Sequence, residues 1–178
     1  MIEEHPAAVI EDKLAQGALD LGIAFAPPGR ADIRAEPVFD EELVLALKAG
    51  HPNARRKTIQ AKQLAALPLA MLSERFATRH LIDRAFAGVV KIAPALELAS
   101  VEALINIART GRFGAILPAR AAQGYAGIAA IRILRPTPKR TAALLWPAQR
   151  QRGAAAVNFA RMFANAFGKT PGKPARKD

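Results

Sequence analysis

Apolar positions along the chain come in two textures: short unbroken runs, and longer stretches where apolar residues recur every three or four positions. The first reads as strands covered on both faces, the second as amphipathic helices. Residues 7–17 predict a helix with Ile10 and Leu14 on one face and Gly17 as its stop. An apolar strand follows at 19–25, ended by Ala26-Pro-Pro-Gly. A weaker strand at 33–39 and a buried one at 43–47 flank the acidic trio 40–42. Thr58 is a candidate cap for a short helix at 59–66. Further strands are predicted at 69–72, 96–99, 114–118, 128–134 and 141–146, and further helices from about Thr78, at 101–110, at 119–123 and at 153–167. Ser100 is the expected cap of the helix that follows it. Strands alternating with helices give an α/β fold with mostly parallel sheets. The proline- and charge-bearing junctions near 40–42 and 136–140 fit crossings between two lobes. The basic tail 168–178 has nothing to bury and is expected to be disordered.

The stretch 69–83 organises this pattern. A buried strand ends at Ser73, and a helix with Leu81, Ile82, Ala85 and Phe86 at helical spacing begins near Thr78. In open α/β sheets ligands bind where strand ends face helix N-termini. Free N–H groups there suit a small anion, and Arg79 adds a full positive charge. The plainer alternative is that Thr78 caps the helix and Arg79 is a solvated surface charge.

Composition narrows the chemistry. The 178 residues include no cysteine, so a disulfide framework, a thiolate metal site and a thiol nucleophile are all excluded within them. No apolar run approaches the roughly 18–20 residues of a membrane span, and the acidic start lacks the order of a signal peptide. A cytoplasmic location is expected. The formal charge is +11, but the basic residues are dispersed through the sequence: Arg55-Arg56-Lys57, Arg109 and Arg112, Lys139-Arg140, Arg150 and Arg152. One Trp and one Tyr offer little stacking surface for single-stranded nucleic acid. His5, His51 and His80 lie far apart and outside metal-ligand spacing. Gly-x-Ser-x-Gly and phosphate-loop motifs are absent, and no nucleophile, base and orienter set is legible. A non-enzymatic role without cofactor is expected.

Four segments, in order, resemble LysR-type transcriptional regulators: Ile10 through Phe25, with its glycine, Leu19-Asp20 and buried run; Leu43 through the His51-Pro52 turn; Leu72-Ser-Glu-Arg-Phe-Ala-Thr-Arg-His-Leu-Ile-Asp83; and Ser100 through Pro118. The third, with Gly22-Ile-Ala-Phe-Ala-Pro27, resembles the branch that activates the cyanate-degradation operon. The resemblance implies a two-lobed effector-binding domain of the type 2 periplasmic-binding-protein shape. Lobe I would take 1–41 and 141–167, and lobe II 42–140. A small anion such as cyanate would bind between them, contacting Ser73, Thr78, Arg79, Ala26, Pro27 and Ser100. It also implies a homo-oligomer, dimer or tetramer, with DNA contacted only through a helix-turn-helix domain that these residues do not include. Relative to the family the chain looks N-terminally truncated, lacking the first strand and helix of lobe I. The competing reading is a basic nucleic-acid-associated protein without sequence readout.

Overall fold

The computed structural model describes residues 1–167. The chain forms two compact units. Unit 1 is Met1–Asp40 with the chain from Thr141 onward, and unit 2 is Glu41–Arg140. The expected tail, 168–178, lies outside the described residues.

Unit 1 packs α1 (Ala7–Ala15) on a ladder of β1 (Gly22–Ala26) and the antiparallel β8 (Lys139–Pro147), in the register Gly22↔Leu145 to Ala26↔Thr141. α1 stops as its pattern requires, with Gly17 at φ +77°. Leu14 is fully buried against Ala24, Ala143 and Leu145. The opposite face of β8 carries Leu144 and Trp146, covered by α5 (Ala154–Phe167) through Ala160, Val157 and Phe163. Gly22 is where α1 crosses β1. A Cβ built there would lie 2.4 Å from Ile10 Cγ2 and 3.1 Å from Leu14 Cδ1. Ile10 is β-branched and cannot swing away cheaply. Gly22→Ala should therefore cost about 1–3 kcal/mol of stability by overpacking, read as a lowered urea midpoint with unchanged m.

Unit 2 is a sheet between two helical layers. Its strands are β2 (Ile33–Lys48, entering from unit 1), β3 (Thr58–Gln60), β4 (Leu69–Leu72), β5 (Leu96–Leu98), β6 (Gly114–Pro118) and β7 (Ile128–Leu134). β5, β4 and β6 run parallel, β2 is antiparallel to both β6 and β7, and β3 returns parallel to β7. The sheet is thus mixed, a correction to the mostly parallel arrangement expected from strand–helix alternation. The long β2 feeds two antiparallel neighbours that no helix separates from it in space.

The unbroken apolar runs are explained by two cores. Leu43, Leu45, Leu47, Leu69, Met71 and Ile116 face one side, with Ile82 and Phe86 of α2 (Ala77–Phe86). Val44, Ala46, Ala70, Leu72, Ala115 and Leu117 face the other, with Leu104, Ile105 and Ala108 of α3 (Val101–Arg109) and Ala122 of α4 (Ala119–Gln123).

Two local expectations are corrected. The strands foreseen at 33–39 and 43–47 are one 16-residue strand. The acidic trio does not turn the chain because each member finds a cation or hydroxyl. Asp40 accepts from Thr141 Oγ1 at 2.7 Å, Glu41 holds Arg140, and Glu42 holds Arg132. The helix foreseen at 59–66 is instead β3 followed by a 3₁₀ segment, Ala61–Ala66. Its start is fixed by a reciprocal Gln60–Gln63 capping box rather than by Thr58, and Ala61 and Leu64 are buried at the spacing of three that a 3₁₀ turn favours.

Candidate functional site

The parallel register brings the carboxyl ends of β4, β5 and β6 to one end of unit 2, with α2, α3 and α4 starting there. β2 enters unit 2 at that same end, since Leu43 pairs with Pro118. The Leu43 N–H also donates to the Pro138 carbonyl at 2.9 Å, which brings the residues around Arg140 there too.

Ser73 follows the last residue of β4. Its N–H donates to the Leu98 carbonyl at 3.0 Å, and its own carbonyl accepts from the Phe76 N–H at 3.1 Å, closing the turn into α2. Its hydroxyl oxygen is buried and has no hydrogen-bond partner among the described residues. α2 starts at Ala77, with Phe76 at the cap position and no side-chain cap. Thr78 therefore does not cap the helix. It is 4% exposed, and its Oγ1 accepts from Arg140 Nη1 at 2.9 Å.

Arg140 and Glu41 form the charged core of this end. Arg140 Nε and Nη2 donate to Glu41 Oε2 at 3.0 and 2.8 Å, and the Arg120 N–H donates to Glu41 Oε1 at 3.3 Å. Burial pushes the Arg140 guanidinium below its ordinary proton affinity, although Glu41 pulls the other way. Neither residue stands out in the sequence except by sitting in the two junctions between lobes, one acidic and one basic. That complementarity was the available signal.

Arg79 is buried beside the site rather than solvated. It is 6% exposed and fully engaged within unit 2. Nε donates to both Asp83 carboxylate oxygens at 2.9 and 3.2 Å, Nη1 to Glu97 Oε1 at 2.8 Å and to the Leu72 carbonyl at 3.2 Å, and Nη2 lies 3.7 Å from Glu74. Burial alone would lower its proton affinity, but the Glu97 hydrogen bond and the charges of Asp83 and Glu97 outweigh it, and the net shift is upward. The side chain ties α2 to β4 and β5 rather than presenting a free cation. The alternative of a solvated surface arginine is corrected.

Ser100 caps α3 as expected, its Oγ accepting from the Ala103 N–H at 3.1 Å. Ala26 and Pro27 close β1 in unit 1 through a cis peptide bond. Among the described residues no cluster of three or more His, Asp or Glu side chains is placed to hold a metal ion, and no helix is long and apolar enough to cross a membrane.

This architecture is that of a ligand-sensing domain of periplasmic-binding-protein type, with polar groups gathered at parallel strand ends. The chain belongs to the family described as the LysR substrate binding domain, which it matches over residues 1–168. Over 90 residues it is 39% identical to a probable hydrogen peroxide-inducible genes activator of Mycobacterium avium, covering 51% of this chain and 28% of that protein. The chain thus aligns with little more than a quarter of that relative's length. The reduced form of the OxyR regulatory domain from Pseudomonas aeruginosa superposes with a TM-score of 0.76 at 26% identity, covering 94% of this chain and 81% of that one. The CcmR regulatory domain of Synechocystis PCC6803, in complex with 2-PG, does so with a TM-score of 0.81 at 21% identity, covering 92% and 81%. The named relative is thus a peroxide activator, and the resemblance to the cyanate-operon branch finds no counterpart in it.

Proposed function

We propose that this chain is the effector-sensing part of a transcriptional regulator, and that its effector is a small anion held at the carboxyl end of β4. The carrying observation is the buried hydroxyl of Ser73, without a partner among the described residues, at the start of the turn that leads into an uncapped ten-residue helix. A buried hydroxyl without a partner costs about 1–3 kcal/mol, which an acceptor ligand would recover. Thr78 can donate its hydroxyl proton while accepting from Arg140, and Arg140 with the α2 N-terminus supplies the positive field. Ser100 lies at the same strand ends. Ala26 and Pro27 enter the contact set through the family resemblance alone. Arg79 keeps the frame of the site rather than touching the anion. Sensing follows if the anion binds one conformational state more tightly than another, and assembly into a homo-oligomer would carry that shift to DNA-binding parts of a whole regulator.

Cyanate remains one anion worth testing. Peroxide is the signal in the Mycobacterium avium relative's name, and 2-PG is the ligand bound to the CcmR domain. With no cysteine in these 178 residues, a peroxide response here would be occupancy rather than thiol oxidation.

Calorimetric melting of the chain with cyanate, bicarbonate, acetate, 2-PG and peroxide, at constant ionic strength, tests the reading. A selective rise with one anion is expected, since ligand at 100 times its Kd stabilises by about 2.7 kcal/mol. Ser73→Ala should raise the unliganded stability, by about 1–3 kcal/mol, because a stranded hydroxyl is removed and no bond is lost, while weakening the anion's effect about tenfold. A melt indifferent to every anion, or an undiminished response in Ser73→Ala, would refute the assignment.

A further inference from the structure

One edge of the unit 1 sheet is open. β1 stands at the end of the strand order and pairs with β8 alone among the described residues. An edge strand leaves the N–H and C=O groups of alternate residues unpaired, a template for a further strand. Both faces beside this edge are walled. Ala24 faces α1, in the cluster around Leu14. Ile23 pairs with Leu144, whose side chain lies under α5, so Ile23 is on the α5 face. Between the two helices lies a cavity of about 520 Å³, lined by Ile10 of α1, Gly22 and Ile23 of β1, Ala156 and Phe159 of α5, and Ile2 before α1. A strand edge with apolar walls on both sides fits an extended segment that carries apolar side chains.

Exposed apolar surface gathers at the same place. Of the nine large apolar side chains exposed among the described residues, seven belong to unit 1, and Met1, Ile2, Ile23 and Phe159 of these line the cavity. Charge then selects the occupant. Unit 2 carries sixteen Lys and Arg against six Asp and Glu, so two copies meeting through it would repel. The described part of unit 1 carries six against eight. The charges at the slot are already paired, Glu3 with Lys13 and Asp20 with Arg150. An apolar, nearly neutral edge accepts a second copy of itself. Residues 168–178 of the chain are a poorer occupant, because they contain no apolar residue larger than proline.

We propose that two copies of this chain pair antiparallel through their β1 edges, joining two unit 1 sheets into one. A two-fold axis lets each β1 be both template and occupant, so both open edges are satisfied at once. β1 is five residues long, and an axis through its middle sets Gly22 opposite Ala26 and Ile23 opposite Phe25. Ile23 and Phe25 share one face by strand alternation, so those of the two copies meet on the α5 side, with Phe159 beside them. The small residues Gly22, Ala24 and Ala26 share the other face, which keeps the joint narrow under α1. The interface lies wholly in unit 1 and stands apart from Ser73, which belongs to unit 2.

Sedimentation velocity of the full chain from about 1 to about 200 μM tests this, since a dimer forms by mass action. A dissociation constant of roughly 10 μM is expected for so small an interface. The dimer should persist at about 0.5 M salt, where charge-driven contacts are screened. Ile23→Lys sets like charges together near the axis and should raise the constant at least about 30-fold, and Ile23→Glu should do the same. An equimolar mixture of these two variants should dimerise within about tenfold of the parent constant, because opposite charges then meet. Phe159→Lys is the second variant should those at Ile23 fail to melt cooperatively, with the same expected loss. Val89→Lys adds the same charge to unit 2 and should leave the constant within about threefold. A monomer at every concentration would overturn the proposal, as would a dimer indifferent to Ile23→Lys and Phe159→Lys. So would association that dissolves at high salt, which would mean that the acidic residues 1–40 of one copy meet the basic unit 2 of another. Ser73→Ala should keep the parent constant, so failure of the effector assignment and failure of this interface are separable.

Discussion

Glu41→Ala is expected to destabilise the chain by about 3–5 kcal/mol, the cost of leaving a buried charge without its partner. Glu41 is 7% exposed and takes three hydrogen bonds, two from Arg140 and one from the Arg120 backbone. Arginine cannot escape by losing its proton at neutral pH, so Arg140 would stay charged in the site whose burial already disfavours its proton. Glu41→Gln keeps an acceptor and should lose less. Glu41→Ala/Arg140→Met should recover more than half of the loss, because an apolar replacement of both partners removes the stranded charge. Urea unfolding of the three variants decides this. The deficit of Glu41→Ala should persist at high salt, since buried pairs are weakly screened. A double variant as unstable as Glu41→Ala alone would mean that Arg140 is not the group stranded.

The pair also marks the limit of what the sequence discloses. The bounds of β4, β6, β7 and α4 follow from apolar runs and short helical stretches punctuated by Ser73, Pro118 or glycine, and the structure has them where the pattern does. β4 and β6 are buried on both faces, and proline or glycine punctuates α4 and β7, so local signals suffice. β2 is different. Its polar centre reads as a break, and only partners about 90 to 101 positions away keep it extended. The 3₁₀ segment at Ala61–Ala66 shares an apolar period of three to four with an α-helix over six residues, and a window that short does not separate the two. At the site, Ser73 and the strand-to-helix turn were legible because strand end and helix start are sequence neighbours. Arg140 was not, since it reaches Thr78 across 62 positions.

Arg79→Met is expected to cost about 3 kcal/mol, less than Glu41→Ala, because the charges it would strand can reach water. Asp83 and Glu97 are 43% and 44% exposed at their side chains, so solvent replaces part of what the guanidinium gave. The Leu72 carbonyl is the group with least recourse. Arg79→Lys restores the charge but not the fork. One ammonium group at the end of a flexible stem cannot reproduce the Nε contact to Asp83 together with the Nη1 contacts to Leu72 and Glu97, and it should recover roughly half of the loss. The lysine variant separates the two roles open to this residue. If Arg79 only braces α2 against β4 and β5, a cooperatively melting Arg79→Lys keeps the parent's anion-induced rise within about twofold in affinity, since no ligand contact is lost. If Arg79 touches the anion, the rise collapses although the domain is folded, and the guanidinium returns to the contact set beside Ser73 and Thr78.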